Sequence, residues 1–342
     1  VLIKPSSGMC NMKCDYCFYC DEMKKRMRES YGFMTEQTLK NVIRKTMFHA
    51  EGMISYAYQG GEPTLRGIAF YEKAMEYQRH YNKCGIRVNN AMQTNGYLID
   101  DEWCKFFREN HFLIGLSVDG TKQIHDLYRH GRRGEPTFDR IKKAAELMDQ
   151  YGVDYNILTV VTQKTAGHAA EIYNYYKEQG WKYQQYIACL DPLGEDRGNG
   201  MFLTELFNLW YEDWKKGEQP YIRQFENYIG ILLGYQPESC EQRGSCGIQN
   251  VVEADGSVYP CDFYALDEYK LGNFNCNRLE EIDKKRKEIA FVEQSQIVAE
   301  NKDFNAMNGE YENYFCKSYR IFFDICLERM IQIVEIIKNQ KG

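Results

Sequence analysis

From residue 1 to about residue 235, short apolar runs alternate with longer stretches in which apolar side chains recur every three or four positions. The short runs, Leu2–Lys4, Ile54–Gln59, Ile86–Met92, Phe112–Ser117, Tyr155–Val161 and Gln184–Ala188, predict strands. The longer ones, Thr35–His49, Ile68–Tyr81, Asp100–Glu109, Phe138–Tyr151 and His168–Gln179, predict amphipathic helices. Strands separated by helices cannot pair as hairpins, so the repeat predicts a parallel sheet with right-handed crossovers. Six such units give an α/β fold, a partial (β/α)6 TIM-type barrel, with the reactive groups expected beyond the strands' C-terminal ends.

After two further helical stretches, Leu203–Lys216 and Tyr221–Leu233, the pattern changes to Gly, Cys and turn residues. Ile248–Glu253, the pair Asp255-Gly256 and Ser257–Tyr259 read as a β-hairpin with a tight turn. A last amphipathic run, Tyr319–Lys338, predicts a closing helix. The expected organisation is a barrel over 1–235, a small C-terminal domain over 236–318 and a helix over 319–342.

Composition narrows the function. A net charge of −6 argues against a nucleic-acid or anionic-membrane binder, which would present a basic face. The absence of a long apolar run or a basic–apolar leader pattern predicts a cytoplasmic protein. In that reducing compartment, thirteen cysteines falling in groups point to metal ligation rather than to disulfides. Cys84, Cys104, Cys189 and Cys326 stand alone and read as buried thiols.

Cys10, Cys14 and Cys17 follow the first predicted strand directly, in a loop where three thiolates can converge on a four-iron, four-sulfur cluster. Three thiolates leave one iron open, and in radical enzymes S-adenosyl-L-methionine fills that place and accepts an electron into its sulfonium. Cys20 also stands at ligand spacing, so a closed four-thiolate site is the alternative.

Each of the next three strands ends in a polar motif. Gln59-Gly60-Gly61-Glu62-Pro63-Thr64 ends the second; its glycines permit close backbone approach to a ligand, and Glu62 can accept from a cationic amino group. Gln93-Thr94-Asn95-Gly96 and Ser117-Val118-Asp119-Gly120 end the third and fourth, although Thr94 and Gly120 read as ordinary turn residues. Gly60, Gly61, Glu62, Ser117 and Asp119 are therefore candidates for holding S-adenosyl-L-methionine. Tyr19 and Gln59 are candidates for contacts with the cofactor or a substrate.

These motifs, with Cys189-Leu-Asp-Pro-Leu193 and Asp255-Gly-Ser-Val-Tyr-Pro-Cys-Asp-Phe-Tyr264, resemble the anaerobic sulfatase-maturating enzymes of the clostridial type over nearly the whole chain. The resemblance implies a radical S-adenosylmethionine barrel, a C-terminal SPASM domain, and oxidation of a sulfatase's active-site Cys or Ser to Cα-formylglycine. It implies one or two auxiliary 4Fe–4S clusters, with Cys240, Cys246 and Cys261 as ligands of the first and Cys316 of the second. A zinc knuckle is the competing reading of those cysteines. The family carries a dense run of cysteines between the positions of Phe291 and Cys316, and this chain has none there.

The implied chemistry is hydrogen abstraction from the substrate's Cβ, proton removal from its thiol or hydroxyl, and loss of a second electron to an auxiliary cluster; Ser then yields the aldehyde directly, and Cys a thioaldehyde that water hydrolyses to formylglycine. Asp262 matches the family's general base. Implied partners are a sulfatase polypeptide with a Cys/Ser-x-Pro-x-Arg motif and a flavodoxin- or ferredoxin-like reductant. A maturase that forms thioether or carbon–carbon crosslinks in a ribosomally made peptide would share the triad and the SPASM domain, because fold does not fix substrate.

Overall fold

The computed structural model describes all residues except 190–195, 239, 244–246, 290–301, 306–309, 314–315 and 342. In chain order the elements begin β1 Leu2–Ile3, β2 Met12–Cys14, α1 Phe18–Lys24, α2 Glu36–Phe48, β3 Met53–Tyr58, α3 Ile68–Tyr81 and β4 Arg87–Thr94. They continue α4 Asp101–Glu109, β5 Phe112–Ser117, α5 Lys122–His125, β6 Arg129–Gly131, α6 Phe138–Tyr151, β7 Asp154–Val161, α7 Ala169–Glu178 and β8 Tyr183–Ala188. Then come α8 Asp196–Trp214, β9 Tyr221–Ile222, α9 Arg223–Leu232, α10 Cys240–Arg243, β10 Val251–Val252, β11 Ser257–Tyr259 and β12 Gly272–Asn273. The described elements end with α11 Leu279–Glu288, β13 Lys302–Asn305, β14 Glu310–Asn313 and α12 Cys316–Lys341.

The strand–helix alternation is present, as is the C-terminal helix, and the sheet is mostly parallel. Local signals set the helix starts. Thr35 accepts from the Thr38 amide at 3.1 Å to cap α2, and Asp100 accepts from the Trp103 amide at 3.0 Å to cap α4. Some boundaries differ from the sequence reading, the closing helix, for example, spanning Cys316–Lys341. The Tyr221–Leu233 stretch opens with strand β9 before turning helical, and α8 begins at Asp196 rather than Leu203.

The chain divides into two compact units that are not consecutive in sequence: Val1–Ser117, Asp126–Tyr155 and Ile248–Phe291 in one, and Val118–His125, Asn156–Gly247 and Val292–Gly342 in the other. In the first unit β1, β3, β4 and β5 pair in parallel, with Leu2 opposite Ala57, Ala57 opposite Ala91 and Ala91 opposite Leu113. The Asp255-Gly256 hairpin does not stand apart from this sheet. Its strand β10 pairs in parallel with β1, Leu2 opposite Val251, and β11 folds back antiparallel with Val252 opposite Val258. The turn is closed by Asp255, whose carboxylate accepts from the Ser257 amide at 2.9 Å and the Ser257 hydroxyl at 2.8 Å. A ribbon that periodicity did not predict joins β2 to β6, placing Cys14 opposite Arg129.

In the second unit β7, β8 and β9 run parallel. Its helical part is built on aromatic packing, with Phe207 against Trp210, Phe225 and Phe322 at centroid distances of 5.6, 5.2 and 6.0 Å.

Candidate active site

β1 ends at Ile3, and the chain then turns through Lys4–Met9 into the cysteine loop. Cys10, Cys14 and Cys17 are half-buried, and Cys20 is exposed on α1. The Met12 amide and the Asn95 side-chain amide both reach Cys10 Sγ, at 3.4 and 3.5 Å, and Arg129 Nη1 lies 3.9 Å from Cys14 Sγ. Burial pushes the Cys10 thiol up to about 12, while Cys17 is lowered to about 6, first by a hydrogen bond from Cys20 and also by the Arg129 charge. Three soft sulfur donors on one loop, supplied with N–H donors, fit an iron–sulfur cluster.

The Gly-Gly-Glu-Pro turn is packed onto this loop. Gly61 has φ +33°, and a Cβ there would lie 2.2 Å from the Met9 carbonyl oxygen; a Cβ on Gly60, φ +84°, would meet the Lys4 side chain at 2.8 Å. The glycines thus let the turn and the cysteine loop touch. Glu62, fully buried, is occupied by the fold as well. Oε1 accepts from the Thr64 amide, the Thr64 hydroxyl and the Thr94 hydroxyl at 2.9, 2.6 and 2.7 Å, and Oε2 accepts from the Asn95 amide at 2.8 Å. Burial raises the Glu62 pKa, and these donors work against the rise. Thr94 is therefore more than a turn residue: it ties the end of β4 to the turn after β3.

Asp262 stands directly after Cys261, two residues beyond the hairpin's Pro260, and is buried. Its partners are side chains. Oδ2 accepts from the Tyr19 hydroxyl at 2.6 Å and the Gln59 amide at 2.7 Å, and Gln59 also donates to the Tyr19 oxygen at 2.8 Å. Oδ1 forms an ion pair with Lys4 Nζ at 2.9 Å. Three residues named separately by the sequence, Tyr19, Gln59 and Asp262, thus form one group in the first unit. Phe18 stacks on Tyr19 and lies 5.3 Å from Phe263, so its ring is used in local packing.

The sequence reading missed the charges behind this group. Lys4 Nζ also lies 3.6 Å from Glu22 and 3.7 Å from Glu253, and Arg26 pairs with Glu253 at 2.6 Å and Glu22 at 3.0 Å. Burial alone would lower the Lys4 pKa, but Asp262, Glu253 and Glu22 together hold it above the ordinary value. A lysine closing an apolar strand at the sheet's C-terminal end was the available signal. Burial, followed by the Asp262 charge, raises the Tyr19 phenol well above the usual tyrosine range.

Ser117 is buried at the end of β5 in the first unit. Asp119 belongs to the second unit, where its carboxylate accepts from the Val160 amide at 2.9 Å and its own amide donates to His125 Nδ1 at 3.2 Å. Cys261 is half-buried. Cys246 lies outside the described residues, and the Cys240 and Cys316 side chains are likewise not described.

Residues 5–176 match the model of the radical SAM superfamily, and residues 240–308 match that of an iron–sulfur cluster-binding domain, SPASM. The chain is 42% identical to the cysteine-type anaerobic sulfatase-maturating enzyme of Clostridium perfringens, covering 99% of each. That alignment spans 365 positions against the 342 residues here, so at least 23 positions of it have no counterpart in this chain. It is 30% identical to the serine-type enzyme of Bacteroides thetaiotaomicron, covering all of this chain and 92% of that one. Among solved structures, native anSMEcpe with bound AdoMet and Cp18Cys peptide superposes with a TM-score of 0.89 at 40% identity, over 98% of both chains. The fold, the cysteine loop and these likenesses agree: this chain belongs to the anaerobic sulfatase-maturating enzymes of the radical SAM superfamily.

Proposed function

We propose that this chain oxidises a cysteine of a sulfatase-type peptide to Cα-formylglycine. Cys10, Cys14 and Cys17 would hold the 4Fe–4S cluster, with S-adenosyl-L-methionine at its open iron. Together these supply, when bound, the radical that takes hydrogen from the substrate's Cβ. The chain's residues handle the proton. Asp262 accepts it from the substrate thiol, with Tyr19 and Gln59 fixing the carboxylate by two short bonds and Lys4 beside its second oxygen.

The observation that carries this reading is that Asp262 is buried and is oriented by the side chains of Gln59, Lys4 and Tyr19, the last on the helix that directly follows Cys17. Cysteine is favoured over serine by the greater likeness to the cysteine-type relative. Cys240, Cys246, Cys261 and Cys316 are proposed as auxiliary-cluster ligands, and a flavodoxin- or ferredoxin-like protein as reductant in the cytoplasm. The net charge of −6 favours a polypeptide over nucleic acid or a membrane surface as partner.

The test is to incubate the reduced, reconstituted enzyme with peptides bearing Cys-x-Pro-x-Arg or Ser-x-Pro-x-Arg and to follow both by mass spectrometry. The expected result is conversion of the cysteine peptide to the aldehyde, with the serine peptide converted more slowly. Deoxyadenosine formation with neither peptide oxidised would refute the assignment.

A further inference from the structure

Glu22 is a buried carboxylate that the reaction described above does not use, and charge balance does not account for it. Among the described residues, Lys4 and Arg26 are the cations of its cluster, and each already faces another carboxylate: Lys4 pairs with Asp262 at 2.9 Å and Arg26 with Glu253 at 2.6 Å. Glu22 Oε2 is set between them, 3.0 Å from Arg26 and 3.6 Å from Lys4. A further buried carboxylate is costly unless its oxygens also serve donors that would otherwise go unmet. Its other oxygen does so: Oε1 accepts from the buried Ala265 amide at 3.0 Å.

Ala265 closes the short 3-10 turn Asp262–Tyr264, in which Asp262 comes first. Within the turn the Tyr264 amide donates to the Cys261 carbonyl at 3.2 Å, and the middle side chain, Phe263, is 61% exposed and adds little packing. The turn therefore takes its place from outside. Glu22 lies on α1 three residues after Tyr19, a spacing that puts both on one face of the helix. That face meets the turn at both of its ends, the Tyr19 hydroxyl donating to Asp262 at 2.6 Å and Glu22 accepting from Ala265. The Tyr19 bond alone would let the turn pivot, whereas two points fix its direction as well. Arg26, four residues beyond Glu22, ties the same carboxylate to Glu253 in the hairpin that leads to the turn.

Resting on the reading that Asp262 takes the substrate's proton, we propose that Glu22 is a positioning residue for that step, pinning the Asp262–Tyr264 turn to α1. Because α1 starts at Cys17, the pin also gives the carboxylate a fixed place relative to the cysteine loop. Radical formation is assigned to that loop and proton removal to the turn, and Glu22 keeps the two in register.

The experiment measures deoxyadenosine and formylglycine together, with a Cys-x-Pro-x-Arg peptide, in reconstituted wild type, Glu22→Met, Glu22→Gln and Asp262→Asn. Amide hydrogen exchange over residues 261–266 is followed by mass spectrometry in the same proteins without S-adenosyl-L-methionine. Glu22→Met keeps the length of the side chain but offers the Ala265 amide only a weak acceptor. It is expected to raise the ratio of deoxyadenosine to formylglycine by about tenfold or more, the scale of loss for a slightly misplaced catalytic group, and to speed exchange across the turn. Glu22→Gln, whose amide oxygen can still accept from Ala265, should stay within about threefold of wild type. If Glu22→Met does not retain iron, Glu22→Met combined with Arg26→Met, which removes the ion pair rather than one partner, is expected to show the same rise in ratio. An iron-loaded Glu22→Met protein with the wild-type product ratio, both products falling in step or not at all, would overturn the proposal, as would wild-type exchange across its turn. An Asp262→Asn protein that keeps the wild-type ratio would instead overturn the reading of the base beneath it.

Discussion

Glu62 and Asp262 are both buried carboxylates that the sequence places in conspicuous motifs, yet the fold treats them differently. Glu62 is surrounded by neutral donors from its own turn and from the end of β4, four hydrogen bonds in all. A carboxylate so engaged holds two strand ends together. Asp262 sits instead in a cluster of three carboxylates and two cations, and its Oδ1 pairs with the Lys4 ammonium. Four neutral donors make a clamp, whereas Asp262 is set by the side chains of Lys4, Tyr19 and Gln59 in the place proposed for the base. A motif names a residue, and its partners decide its work.

Removing the cluster loop's own ligands should have the largest effect. Cys10→Ala, Cys14→Ala or Cys17→Ala is expected to abolish S-adenosyl-L-methionine cleavage, while Cys20→Ala keeps most of it, read as deoxyadenosine by chromatography. Equal loss in Cys20→Ala would mean that the triad is wrongly chosen. Iron left in the triad variants would report on Cys240, Cys246 and Cys261; zinc in its place would favour a zinc knuckle.

The charged cluster is tested next by Lys4→Met, which leaves Glu22, Glu253 and Asp262 with Arg26 alone. Breaking a buried pair from one side costs about 3–5 kcal/mol, to be measured by urea denaturation. The sign of its pH dependence follows from the raised Lys4 pKa. Its stabilisation is full below the ordinary value of 10.5 and is lost as pH rises through the higher folded-state value. Wild type should therefore lose its advantage over Lys4→Met only in strong alkali; an advantage that vanished near neutrality would break the comparison.

A smaller cost is expected for Glu62→Gln. The amide oxygen can keep the three donors at the Oε1 position, but its NH2 would then face the Asn95 amide. One unsatisfied contact costs about 1–3 kcal/mol. Relief from burying a charge offsets part of that, because burial already raises the Glu62 pKa. A loss much larger than this in the denaturation midpoint would show that the Glu62 charge, and not only its hydrogen bonds, is needed.

Much of this was legible in the sequence. Strand and helix periodicity located β3, β4, β5, β7 and β8 within one or two residues, since each buries a regular apolar pattern. The three-cysteine loop and the Asp255-Gly256 turn are short-range signals and were equally plain. What escaped was long-range. That β10 pairs with β1, bringing Asp262 to Lys4 and Gln59, depends on contacts across about 250 positions, on which periodicity is silent. The β2–β6 ribbon is three residues per strand, too short for an alternation to register, and so Arg129 went unnoticed. The packing of Gly60 and Gly61 onto Lys4 and the cysteine loop was hidden for a related reason: a glycine signals close approach but does not say to what.

The same substitution made at both carboxylates tests the account most directly. Deoxyadenosine and formylglycine are measured together, with a Cys-x-Pro-x-Arg peptide, in wild type, Glu62→Gln and Asp262→Asn. Glu62→Gln should lower both products in step, in proportion to the folded, iron-loaded protein, and keep their ratio. Asp262→Asn should still bind its clusters and make deoxyadenosine, while formylglycine falls by about a hundredfold or more, the loss expected for a missing general base. Formylglycine at the wild-type ratio in Asp262→Asn would contradict the account and send the search for the base elsewhere around the sheet's C-terminal end.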